Sequence, residues 1–246
     1  MSTLLILAVA LGTGCATFAG GALALRLADR LHLLLGFSAG AVIAVAFFDL
    51  LPESIRLGAG TCDPATILSI SALGFFAYAS LDRLIFLHGH DSDNAHPGAT
   101  TFPAKGWAGA GSLSVHSFMD GLAIGVAFHA SSRAGIVVAA AVLAHDCSDG
   151  MNTVNLVLKS GGSVRDAFRW LIADAVAPVL GVIVSLFLVL PATVSALALS
   201  LFAGFFLYIG ASDLLPESRH AHPKFLSTIT TLAGALFLYL VIRLAG

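Results

Sequence analysis

The chain has 246 residues, of which 58% are hydrophobic and 11% charged, where a soluble domain carries about a quarter charged residues. With a mean hydropathy of +0.94 and a net charge of −2, the composition excludes a water-soluble domain and a nucleic-acid partner. The solvent it fits is a lipid bilayer.

A helix needs about 20 apolar residues to cross ~30 Å of hydrocarbon. Eight such stretches follow one another, and the first is 3–25. No basic residue precedes it, so it reads as a retained span rather than a secretory signal. Gly12-Thr13-Gly14-Cys15 has only a faint likeness to a lipoprotein cleavage site. Spans two and three cover 32–51 and 65–87. The most polar connector, 88–106, contains His88, His90 and His96 with Asp91 and Asp93. It reads either as an ordinary polar loop or as a loose metal-capturing one. The remaining spans are 107–129, 134–158, 167–190, 193–215 and 225–245. The short connectors leave no room for a soluble domain, so 1–246 is expected to be one transmembrane domain. The fold class is an all-α polytopic integral membrane protein. Cys15, Cys62 and Cys147 form no CxxC pair and imply no disulfide framework.

Lys and Arg set the orientation. With the N-terminus outside, the inner connectors hold nine basic residues and the outer ones three. Both termini are therefore expected outside.

Asp49-Leu50-Leu51-Pro52-Glu53-Ser54 ends span two, and Asp213-Leu214-Leu215-Pro216-Glu217-Ser218 ends span seven. Ala39-Gly40 and Ala203-Gly204 match at the same offset of 164 residues. The bland reading is that Leu-Pro-Glu merely stops a helix. Six identical residues with a matching pair upstream favour an internal repeat. Its copies end on opposite faces, which is the inverted plan of many transporters.

Spans four and five carry the chemistry. They contain His116-Ser117-Phe118-Met119-Asp120-Gly121 and His145-Asp146-Cys147-Ser148-Asp149-Gly150. Spacing i, i+4 puts each His and its Asp on one helix face. Antiparallel neighbours bring Asp120 to the depth of His145 and His116 to that of Asp149. Two imidazoles and two carboxylates suit a tetrahedral zinc site. Asp120, Asp146, Asp149 and Asp174 lie inside spans with no Lys or Arg at that depth, so buried salt bridges do not account for them. Gly121 and Gly125 read as a close-packing pair. Asp174 is either a further ligand, with Ser117 as a neutral oxygen, or a protonated, hydrogen-bonded acid.

At these residues the chain resembles the ZIP (Zrt/Irt-like) family of divalent metal transporters. The resemblance implies a 3+2+3 helix arrangement with an inverted repeat. It implies a primary metal site at His116, Asp120, His145 and Asp149, and an adjoining one at Ser117, Asp146 and Asp149. It also implies a release region at Ser212 and Asp213. Asp49, Glu53 and Glu217 extend this into a route to either face. Two departures stand out. Met119 and Ser148 replace the family's prolines, and Ala177 replaces a common Glu, with Asp174 one turn earlier.

The expected function is uptake of divalent transition metals into the cytoplasm, zinc first, with Fe²⁺, Mn²⁺ and Cd²⁺ as further candidates. The metal is cargo, and no catalytic cofactor is expected. The partners are metal ions and the bilayer, with a homodimer left open, and the location is the cell (inner) membrane. A reading from another class is an intramembrane zinc hydrolase with Asp146 as general base. A third is a proton-conducting structural protein without metal.

Overall fold

Hydrocarbon offers backbone groups no partner, so each crossing must satisfy its own hydrogen bonds as a helix. A computed structural model of the chain describes residues 3–24, 31–90, 103–188, 190–218 and 224–245. These form eight continuous helices: α1 Thr3–Ala24, α2 31–58, α3 Pro64–His90, α4 Pro103–Ala130, α5 Ser132–Lys159, α6 Val164–Ser185, α7 192–217 and α8 Lys224–Ala245. By length and composition, seven are apolar enough to cross a membrane. The exception is α4, which carries the first His-Asp pair and a run of glycines and serines. It is shielded on three sides, packing on α5 and α6 and touching α7.

Helix ends follow local chemistry. The Asp63 carboxylate accepts from the Thr66 N–H at 2.6 Å and starts α3. That bond holds the Asp63 carboxyl below its ordinary value. Ser163 and Asp166 form a reciprocal capping box, so α6 begins at Val164 rather than near 167. α5 ends in a Schellman turn at Gly161 (φ +85°), with Gly162 N–H donating to Val157 and Gly161 N–H to Leu158. α6 stops at Ser185, short of the expected 190, although Leu186, Phe187 and Leu188 are apolar. Hydrophobicity reports membrane depth, and it does not require helix.

α2 and α7 do not stop at their prolines. Pro52 and Pro216 cannot donate backward, and each helix absorbs the gap in a π-helical turn, Ala46–Leu50 and Ile209–Leu214. Leu51 N–H reaches the Ala46 carbonyl, and Leu215 N–H reaches that of Gly210. The two bonds correspond under the 164-residue offset. α2 therefore runs to Gly58, past the expected 51.

The repeated Gly has a packing reason. A Cβ at Gly40 would overlap the Thr231 carbonyl of α8, and one at Gly204 that of Ser71 in α3. α2 pairs with α8 as α7 pairs with α3. α1 lies along α5 as α6 lies along α4. The chain thus exchanges α1 with α6, α2 with α7, α3 with α8 and α4 with α5. The motif copies point oppositely. Thr61, beyond the end of α2, meets Thr193 at the start of α7, while Gly210 near the end of α7 lies against Ala39 and Ile43 of α2.

His88 and His90 fall on the last turn of α3 rather than in a loop, and His96 lies outside the described residues.

Candidate metal centre

α4 and α5 are joined at Ser131 alone, whose hydroxyl caps α5 by accepting from Ala134 N–H. So tight a turn forces them antiparallel and adjacent. Each central helix is clamped behind its aspartate. A Cβ at Gly121 would overlap the Pro178 carbonyl of α6, and one at Gly150 the Thr17 carbonyl of α1. Gly125 likewise admits Ser185 of α6. The Asp-Gly pairs thus let outer helices press the two ligand-bearing faces together.

Those faces meet in a buried ring. His116, Asp120, His145 and Asp149 are all at most 3% exposed. Each offers one ligand atom, and the four atoms lie within 4.8 Å of one another. Asp120 Oδ2 stands 2.9 Å from His145 Nε2 and 3.2 Å from His116 Nε2. Asp149 Oδ2 stands 3.4 Å from His116 Nε2 and 3.6 Å from His145 Nε2. A tetrahedron's edge is about 1.63 times its centre-to-vertex distance. Zinc ligands at about 2.0–2.1 Å therefore stand about 3.3–3.4 Å apart, and the four separations bracket that spacing.

The ring nitrogens are set for a cation. His145 Nδ1 lies 2.9 Å from the Ala141 carbonyl, which only accepts, so Nδ1 carries the proton. In the neutral imidazole, the Nε2 lone pair then faces carboxylate oxygens. At 2.9 Å from Asp120 Oδ2 that contact becomes favourable when Nε2 carries either a proton or a metal ion, and a second bond that fixes the tautomer is what a metal-ligating His needs. His116 Nε2 and Asp149 Oδ2 have no hydrogen-bond partner among the described residues. Tyr78 packs edge-on to His116 and Phe206 edge-on to His145, closing the ring toward α3 and α7.

The other sequence candidates separate from this ring. Ser117 Oγ and Thr153 Oγ1 each donate to Asp174 at 2.7 Å, so Ser117 and Asp174 are engaged with each other. Asp146 is fully buried, and neither of its carboxylate oxygens has a hydrogen-bond partner among the described residues. Met119 and Ser148 leave α4 and α5 unbroken; Ser148 Oγ meets Ser38 Oγ of α2 at 3.0 Å. Toward the end of α2, Asp49 is buried with Oδ2 unpartnered among the described residues, and Glu53 pairs with Arg56. Asp213 lies in the π turn of α7, Glu217 on its last helical turn, and Ser212 is exposed. Sequence reasoning missed Thr153, which sits four residues after Asp149 and so one turn along the same face. It also missed Ser38 and Tyr78, which carry no local signal.

An all-α bundle with imidazoles and carboxylates gathered inside a span defines a polytopic membrane protein equipped for a divalent cation. The model of the family described as ZIP Zinc transporter matches residues 88–242, more than half of the chain. The chain belongs to that family. It is 34% identical to zinc transporter ZIP4 of Homo sapiens over 103 residues, covering 42% of this chain and 16% of that protein. It is 33% identical to zinc transporter ZIP10 of Danio rerio over 107 residues, 43% of this chain and 13% of that protein. Zinc transporter YKE4 of Saccharomyces cerevisiae is 26% identical over 227 residues, 80% of this chain and 65% of that protein. The chain thus spans about a sixth or less of the first two relatives and just under two thirds of the third.

Proposed function

We propose that the chain carries divalent transition metal ions, zinc first, across the membrane through the ring of His116, Asp120, His145 and Asp149. The observation that supports this is that four buried ligand atoms lie within 4.8 Å of one another, with all four imidazole–carboxylate spacings, 2.9–3.6 Å, close to the edge of a tetrahedral zinc shell. Two carboxylates balance a dication, and no thiolate is present to hold it irreversibly. The same ring takes Fe²⁺, Mn²⁺ or Cd²⁺, since imidazole and carboxylate accept several divalent ions. The hydrolase reading has less support. Four protein ligands fill a tetrahedral shell and leave no position for a reacting water.

Around the ring, Asp146 forms part of a second ion position, because a fully buried carboxylate with both oxygens unpartnered calls for a cation. Asp174 and Ser117 support that position from their hydrogen-bonded pair. Asp49 and Glu53 at one end, and Ser212, Asp213 and Glu217 at the other, form the routes in and out. Loose ion capture falls to the histidines that the sequence groups in and before the polar connector, His88, His90 and His96. Transport runs into the cytoplasm, with the chain in the cell (inner) membrane and both termini outside. A homodimer is the assembly we expect.

Zinc influx into liposomes containing the purified protein tests the ring. His145→Ala with Asp149→Ala is expected to abolish saturable uptake, and wild-type uptake by that variant overturns the assignment. Asp146→Asn separates the second position. It is expected to lower the number of ions bound per chain while the ring still binds one, and unchanged stoichiometry removes Asp146 from the site.

A further inference from the structure

Far from the ring, between the first turns of α4 and α6, a groove of about 380 Å³ is lined by Trp107, Asp166, Arg169, Trp170 and Ala173. At 1.5 Å per residue, Trp107 lies about 20 Å along α4 from Asp120, so the groove sits near the end of the bundle rather than at ion depth. The chain has two tryptophans, and both are here. Trp170 packs against Gly111, one helical turn beyond Trp107 on α4. Trp107 is half-exposed, and neither indole N–H has a partner among the described residues.

The charge at this end is uneven. Asp166 Oδ2 accepts from the Ser163 hydroxyl and backbone N–H. Its Oδ1 stands 3.6 Å from Arg169 Nη1, a long and solvent-screened pair. That leaves most of the Arg169 guanidinium without a partner among the described residues. Arg165 is exposed on the same turn. The groove therefore combines an aromatic floor, two idle N–H donors and an excess of positive charge at the level where a bilayer presents its headgroups.

We propose that this groove binds the headgroup of an anionic phospholipid. Arg169 holds the phosphodiester oxygens in its planar fork of donors. The two indoles donate to the phosphate and glycerol oxygens and lay their rings along the first methylenes of the acyl chain. The volume lies within the ~300–1,000 Å³ of small-molecule sites. This site is independent of the metal reading.

Because no other tryptophan exists, intrinsic fluorescence reports on this groove alone. The detergent-purified full chain is titrated with phosphatidylglycerol carrying brominated acyl chains, and separately with brominated phosphatidylcholine. Bromine quenches indole only at short range. Phosphatidylglycerol is expected to quench to half at about fivefold lower mole fraction than phosphatidylcholine, the preference one basic residue confers near an anionic surface. Arg169→Gln is expected to remove that preference; the side chain is 66% exposed, so its loss leaves the bundle intact. Glycerol phosphate in excess distinguishes a free phosphate site, and displacement of the quencher by it overturns the lipid assignment. Equal quenching by both lipids, or a preference that survives Arg169→Gln, overturns the proposal.

Discussion

Asp149→Asn tests the ring at one atom. The substitution keeps the side chain's shape and replaces one charged oxygen by a neutral one. Asp149 Oδ2 contacts both imidazole nitrogens, at 3.4 and 3.6 Å, so it is a corner of the ring rather than a neighbour of it. With the carboxylate gone, a bound dication faces one negative charge in a site that is at most 3% exposed, and a net positive charge stays buried. The size of the loss has a floor. Altering a residue that only supports a ligand costs about 10–100-fold in metal affinity, so removing a charged ligand is expected to cost at least ~100-fold, about 2.8 kcal/mol. Asp120→Asn is expected to cost as much or more, since its oxygen stands closer to both nitrogens, at 2.9 and 3.2 Å. The assay is competition of purified protein with a zinc chelator of known affinity, beside a thermal melt showing that the variants fold. Zinc affinities within threefold of wild type for both variants refute the four-ligand reasoning.

Four further outcomes follow from the packing and the caps. Gly150→Ala places a Cβ into the Thr17 carbonyl and is expected to cost at least about 1–3 kcal/mol in thermal or denaturant unfolding. Gly12→Ala, on α1 of the same helix pair, meets only a Leu143 methyl at 3.9 Å and is expected to be neutral or stabilising by up to ~1 kcal/mol. Thr153→Val strips one of two donors from the buried Asp174 and is expected to destabilise by about 1–3 kcal/mol, with more lost when Ser117→Ala is added. At Asp63 the folded carboxyl is depressed below 3.8, so its capping contribution is full above that pH and disappears as pH falls through the folded value. Asp63→Asn is expected to leave the α3 cap insensitive to acid, which amide exchange at Thr66 between pH 3 and 6 can follow.

The ring was legible because its geometry is local. His and Asp four residues apart share a face in any helix, and two copies beside a one-residue turn must meet. The other acids were harder to place. Asp146 and Asp149 are three residues apart on α5, yet the first lies outside the ring, and sequence gives no rotamer. Asp174 belongs with Thr153 because α6 packs against the central pair, a tertiary fact. Ala39-Gly40 was visible as half of a repeat, but its reason, the approach of α8, is visible only in three dimensions. Pro52 and Pro216 read as helix stops because proline removes a donor. A π turn compensates for that at modest cost, and both helices continue. Spans ending in apolar residues, such as Leu186–Leu188, overran because the bilayer selects for hydrophobicity regardless of backbone conformation. The Ser163-Asp166 box was a signal in the sequence that hydropathy windows pass over.

The exchange of α4 with α5 has a thermodynamic consequence. Each central helix supplies one imidazole and one carboxylate, and the helices run in opposite directions, so an ion arriving from either face meets the same ligands in the same order. In ligand type alone, such a ring favours neither direction of the proposed transport. Whatever makes flow one-way must lie elsewhere, in a concentration difference, a membrane voltage or an unequal pair of gates.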